Sequence, residues 1–205
     1  EAAIESYKHA IKIKPDYASA FNNMGNALKD KGDLEAAIKS YKQALKIKPD
    51  YAEAYNNMGV ALKDKGDLDT AINSYKQALK IKPDYAEAYY NMGNTLNDKG
   101  DLEAAIESYK HAIKIKPDYA DAFNNMGNAL NDKGDLEAAI KSYKQALKIK
   151  PDYTEVWNNL TFPLQAIKLQ VPSVEELLPT ISPKAGSKYA QIAKSVLIFI
   201  LNRGG

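Results

Sequence analysis

The residues best suited to chemistry in this chain are asparagines at a fixed interval. Asn23, Asn57, Asn91, Asn125 and Asn159 stand 34 residues apart. Asn22, Asn56, Asn124 and Asn158 precede them, with Tyr90 in the remaining place. Three residues further on come Asn26, Asn94 and Asn128, with Val60 and Phe162 in the same register. A side-chain amide offers a donor and an acceptor together, so it can pair with the N–H and C=O of a peptide bond. Asparagine is also a poor helix-interior residue, because its amide competes with the backbone. Repeating it therefore costs stability each time. The pattern predicts a ladder of amides that grips an extended peptide by its main chain; the plainer alternative is that the amides tie neighbouring helices or were copied with their block. Val60 and Tyr90 replace asparagines in adjacent blocks, and together they are expected to form an apolar pocket for a ligand side chain, with simple drift as the alternative.

The elements that carry these residues are read from one block, Ala52 to Tyr85, AEAYNNMGVALKDKGDLDTAINSYKQALKIKPDY. It recurs as Ala18–Tyr51, Ala86–Tyr119 and Ala120–Tyr153, and Pro15, Pro49, Pro83, Pro117 and Pro151 keep its period. Such self-similarity predicts stacked supersecondary units. Counting positions from the first alanine, Ala52, Tyr55, Met58, Gly59 and Leu62 form one apolar stripe at helical spacing. Gly66 and Asp67 break it, the glycine suited to a left-handed C-terminal cap and the aspartate to an N-cap. A second stripe, Leu68, Ala71, Ile72, Tyr75, Ala78 and Leu79, ends at Pro83. Asp84 with Glu87 reads as a capping box for the next helix. Gly59 costs helix stability of roughly 1 kcal/mol against alanine; it is expected to face Ala71 where two backbones cross closely.

An aromatic residue at position 4, Met at 7, Gly at 8, Leu at 11, Ala at 20, Tyr at 24, Ala at 27 and Pro at 32 resemble the tetratricopeptide repeat (TPR). Within that family the chain is similar to the superhelical arrays of the O-linked N-acetylglucosamine transferase type, whose helices carry the same Asn-Asn-x-Gly-Asn run. The resemblance implies an all-α, right-handed α-solenoid of antiparallel helix pairs, and the tail is expected to form a C-terminal helical cap, because a solenoid's open end needs covering. The resemblance also implies a peptide-anchoring role for the position-6 asparagines, Asn23, Asn57, Asn91, Asn125 and Asn159. The expected organisation is a half repeat at 1–17, four full repeats at 18–153, a partial fifth at 154–168, and capping or linker helices at 169–205. Pro163 is expected to kink or end the fifth repeat's helix.

Composition narrows the function classes. Of 205 residues, 28 are basic and 26 acidic, for a net charge of +2, which announces neither nucleic acid nor anionic membrane. Arg203 is the only arginine, which further disfavours base readout. There is no cysteine, hence no disulfide or thiolate metal site. No stretch approaches the roughly 20 apolar residues of a membrane span, and no signal peptide opens the chain. The expected location is cytoplasmic. His9 and His111 sit at equivalent places in different blocks, and no nucleophile–base pair, metal-spaced cluster or phosphate loop accompanies them. No catalysis and no cofactor are expected. The first-helix face leans acidic, with Asp30, Asp64, Asp98 and Asp132 at position 13 and Glu53, Glu87, Asp121 and Glu155 at position 2, against Lys29 and Lys63.

The expected function is a non-catalytic protein–protein interaction module that takes a protein or peptide on its concave face. Two rivals stand beside it. The chain starts without Met, halfway through a block, and is expected to be a fragment, which suits a substrate-recruiting arm of a larger enzyme of glycosyltransferase or sulfotransferase type. Alternatively it self-assembles, the apolar stripe Ile4, Tyr7 and Ile11 of one copy meeting Val196, Leu197 and Ile200 of another.

Overall fold

The computed structural model describes residues 1–166, and among these every regular element is an α-helix. They are α1 (Ala2–Ile13), α2 (Ala18–Asp30), α3 (Leu34–Ile47), α4 (Ala52–Asp64), α5 (Leu68–Ile81), α6 (Ala86–Asp98), α7 (Leu102–Ile115), α8 (Ala120–Asp132), α9 (Leu136–Ile149) and α10 (Thr154–Ala166). The chain is an all-α helical repeat array. It divides into two compact units, Glu1–Asp101 and Leu102–Gly205. The tail helices and the contacts expected of Val196, Leu197 and Ile200 lie outside the described residues.

The turn inside each pair is dictated by the Gly-Asp dipeptide. Gly32, Gly66, Gly100 and Gly134 hold φ between 85° and 89°, the left-handed region that a side chain strains. Gly32 N–H donates to Lys29 O at 2.8 Å and Asp33 N–H to Leu28 O at 2.9 Å, the two bonds of a Schellman stop. Asp33 also starts the next helix, its carboxylate accepting from Ala36 N–H at 3.1 Å. One aspartate thus closes α2 and opens α3.

The turn between pairs is built differently from the expected capping box. Residues before proline avoid the helical region, and Lys48 accordingly sits at φ −128°, ψ 90°. Tyr85, not Asp84, is the N-cap of α6, and no side chain caps that helix. The Pro-Asp-Tyr turn, closed by Tyr85 N–H to Lys82 O at 3.2 Å, leaves Asp84 a residue short of the cap. A lysine ammonium over a tyrosine ring braces the turn instead, at 4.7 Å for Lys48 over Tyr51 and for Lys82 over Tyr85.

In the first unit, consecutive helices pack from α1 to α6, and α2 also meets α4, and α4 meets α6. Ala37, Ile38, Tyr41, Met58, Ala61, Leu62, Ala71 and Tyr75 form its core cluster. The close approach at Gly59 is real, and the atoms nearest to it belong to the Tyr75 ring. A Cβ on Gly25 would stand 2.5 Å from Cε1 of Tyr41, and one on Gly59 would stand 2.6 Å from Cε1 of Tyr75. The glycine makes room for an aromatic ring. Burying such a ring stabilises by roughly 2 kcal/mol, which outweighs the helix cost of the glycine.

In the second unit α7 packs on α8, α8 on α9, and α10 on both α9 and α8. Tyr143, Leu147, Val156 and Leu160 are almost wholly buried there. Helix α10 does not end at Pro163; it runs on to Ala166 with the proline inside it. The missing proline N–H removes the donor that the Asn159 carbonyl would otherwise accept.

Candidate functional site

The candidate face is carried by the first helix of each pair in both units. In the first unit, Asn22 and Asn56 are only 5% exposed, so they lie behind the face rather than on it. Each accepts from the position-6 amide of the following block: Asn57 Nδ2 donates to Asn22 Oδ1 at 3.1 Å, and Asn91 Nδ2 donates to Asn56 Oδ1 at 3.0 Å. Asn57 and Asn91 are half-buried, and neither has a bond to its own side-chain oxygen among the described residues. Asn23 is exposed and, among the described residues, its side chain is met only by Asn22 Nδ2, at 3.4 Å.

The second unit repeats the arrangement. Asn159 Nδ2 donates to Asn124 Oδ1 at 3.1 Å, and Asn124 is fully buried. Asn124 Nδ2 donates in turn to Asn125 Oδ1 at 3.1 Å and to Glu155 Oε1 at 3.2 Å. Its carbonyl and both amide hydrogens are used, as a buried amide requires.

The position-9 asparagines serve the core. Tyr41 Oη donates to Asn26 Oδ1 at 2.8 Å, and Tyr143 Oη to Asn128 Oδ1 at 2.7 Å. Asn94 is half-buried in the same register. Sequence reasoning missed this role; the signal was the fixed 15-residue interval to a buried tyrosine. Val60 breaks the pairing, and the Tyr75 hydroxyl is buried with no partner at bonding distance among the described residues. Burial pushes its pKa up; Thr95 lies close enough to temper that shift, while its own hydroxyl donates to Asn91 O at 2.9 Å. Val60 is packed, with Tyr55 and Met92, against the core cluster, and Tyr90 is half-buried.

The acidic residues around the ladder are partly neutralised. Lys63 reaches Asp98 of the next block at 3.0 Å, and Lys29 meets Asp30 at 3.5 Å. Tyr153 Oη donates to Asp121 at 2.7 Å. Between α1, α2 and α3, a groove of about 400 Å³ runs past Ile4, Met24, Leu28 and Lys39. Ile4 is itself only 6% exposed, which takes it out of any open contact surface, whereas Tyr7 and Ile11 are half-buried and Ile13 is 73% exposed. Among the described residues no group of three or more His, Cys, Asp or Glu is arranged to hold a metal, and no helix is long and apolar enough to cross a membrane.

No curated protein matches the chain. Among solved structures, the crystal structure of MamA is 30% identical and has a TM-score of 0.68, with 74% of this chain and 89% of that one covered. MamA 41-end from Desulfovibrio magneticus RS-1 is 20% identical, TM-score 0.69, covering 91% of this chain and 96% of that one. YrrB, a TPR protein with an unusual peptide-binding site, is 21% identical, TM-score 0.69, covering 94% and 99%. The last two likenesses speak to the fold alone. The model of the TPR repeat matches residues 1–32, 25–66, 59–97, 93–131 and 127–162. With the glycine–tyrosine packing, the Gly-Asp turn and the proline-ended second helix recurring through those same stretches, the chain belongs to the tetratricopeptide repeat family.

Proposed function

We propose that this chain is a non-catalytic interaction module that binds an extended peptide segment along its first helices, with the position-6 asparagines as main-chain anchors. The observation that carries the reading is the half-buried amide of Asn57 and of Asn91, each with its nitrogen engaged and its carbonyl unpartnered among the described residues. A carbonyl and a second N–H at these two rungs match the donor and acceptor of a peptide bond and ask little of the peptide's side chains. The similarity to YrrB, a TPR protein with a peptide-binding site, adds support of fold only. The likeness of the Asn-Asn-x-Gly-Asn run to the O-linked N-acetylglucosamine transferase type arrays points the same way, and it also suits an arm that recruits substrate for a larger enzyme. The carboxylates at positions 2 and 13 favour a neutral or basic peptide.

Binding to an immobilised library of extended peptides tests the reading. The wild-type chain is expected to retain many members, and the triple variant Asn57→Ala/Asn91→Ala/Asn125→Ala, with its helical spectrum intact, to retain none. Equal retention by the two would sink it.

Self-assembly is a second reading, favoured by the exposed edge of α1. Tyr7 of α1 is half-buried where its equivalents Tyr41 and Tyr75 are fully buried. A helix α10 from another copy is a poor cover for it: Thr161 stands where Gly25 and Gly59 leave room for a ring. Sedimentation at rising concentration tests this reading, and a constant monomer mass would end it.

A further inference from the structure

A buried amide must find hydrogen-bond partners or carry a desolvation cost of roughly 1–3 kcal/mol. Asn22, Asn56 and Asn124 are all buried inside helices. Each accepts from an asparagine 35 residues later, at 3.1, 3.0 and 3.1 Å respectively. The bond therefore joins position 5 of one block to position 6 of the next, twice in the first unit and once in the second. An amide is planar, and its nitrogen and oxygen branches diverge. Holding the nitrogen of Asn57, Asn91 or Asn159 toward the preceding block fixes its oxygen on the opposite branch, where it has no partner among the described residues.

We infer that Asn22, Asn56 and Asn124 are positioning residues, each holding the next block's asparagine so that its carbonyl is presented, already oriented, to a peptide N–H. The inference rests on the peptide-binding reading above and adds the group each rung presents first. An acceptor fixed before the ligand arrives loses little rotamer freedom on binding. The rungs are consequently unequal. Asn57, Asn91 and Asn159 are held from behind, whereas Asn23 is exposed and, among the described residues, has only the long 3.4 Å contact from its own neighbour, Asn22. Asn124 reaches further still, because it also bonds Glu155 and so ties a position-2 carboxylate into the ladder.

A double-mutant cycle on Asn56 and Asn91 tests this, with titration calorimetry against the tightest member of the peptide library. Asn91→Ala is expected to weaken binding roughly five- to tenfold, the worth of about one hydrogen bond. Asn56→Ala, which touches no ligand, is expected to cost nearly as much. The double variant should bind no worse than Asn91→Ala alone, because both changes disable one rung. Asn23→Ala should cost less than twofold by the same hydrogen-bond arithmetic, since that rung has no brace from a preceding block and its carbonyl already accepts from Asn22. Additive losses in the cycle, or an Asn56→Ala chain that binds like wild type while Asn91→Ala does not, would overturn the positioning role and leave peptide binding intact. A wild-type chain that binds no peptide overturns both. Should Asn56→Ala fail to fold, the Asn22/Asn57 cycle asks the same question one block earlier; unfolding there too would mark these amides as structural and end the inference.

Discussion

The pairs α2–α3 and α4–α5 are nearly the same sequence, yet they finish their cores differently. In the first, the buried Tyr41 hydroxyl is tethered to Asn26 at 2.8 Å. In the second, Val60 occupies the acceptor's place and the Tyr75 hydroxyl is left without a partner among the described residues. The aromatic ring packs against a glycine in both cases, so the apolar fit is retained while the polar tether is not. The difference separates two jobs that one residue type performs on the same helix. An asparagine at position 9 completes the core of its own pair, and an asparagine at position 5 reaches to the next pair.

The comparison can be broken most sharply at the glycine. Gly25→Ala drives a methyl into the Tyr41 ring and is expected to destabilise by about 1–3 kcal/mol, the usual cost of overpacking. Gly59→Ala should cost less, because the Tyr75 ring has no tether to resist a shift; urea melts of the two variants compare them directly. Next in size, Asn26→Val converts the first pair into the second and should cost about 1–3 kcal/mol by orphaning a buried hydroxyl. The converse change, Val60→Asn, should gain about 0.5–1.5 kcal/mol, and equal effects of both changes on thermal unfolding would contradict the tether. Tyr75→Phe should be neutral or stabilising, whereas Tyr41→Phe should not.

Alkaline pH gives a smaller, graded effect. Burial raises the pKa values of Tyr41, Tyr75 and Tyr143, and pushes Tyr85 up to about 12, with Glu87 and Glu53 adding to it. The fold therefore holds the neutral phenols. Their stabilisation is complete below the ordinary tyrosine pKa of about 10 and is lost as pH rises through 12 and beyond. Denaturation midpoints should fall over that window, and Tyr75→Phe should make the fall shallower. The smallest change is expected at the surface. Lys65→Ala removes an exposed pair with Glu35 at 3.1 Å and should leave the melting curve of the α4–α5 region unmoved at ordinary salt.

Much of the fold was legible in advance because it is local. A left-handed glycine followed by aspartate, a helical stripe of apolar residues and a proline every 34 residues act through near neighbours, so reading them needs no knowledge of packing. The errors came where the next layer decides. Asp84 and Glu87 have capping-box spacing, but the Pro-Asp-Tyr turn moves the N-cap to Tyr85, one residue past Asp84. Pro163 carries the signature of a kink or a helix end, and of these the end is overruled: α10 packs on α8 and α9 and continues to Ala166. At Gly59, size matching points to Ala71, whereas the nearest atoms are those of an aromatic ring 16 residues on. The asparagines at positions 5, 6 and 9 read alike in sequence because an amide's role depends on which atoms surround it.

What the sequence determined by itself is the repeat: its period, its helices and its turns follow from backbone preferences set within a few residues. What only the tertiary structure decided is the division of labour among the asparagines. Burial and a partner 15 or 35 residues away fix whether an amide tethers a tyrosine, braces the next helix or stays half-open to solvent. Those partners meet only when helices stack, since a side-chain hydrogen bond is set by distance in space and not along the chain.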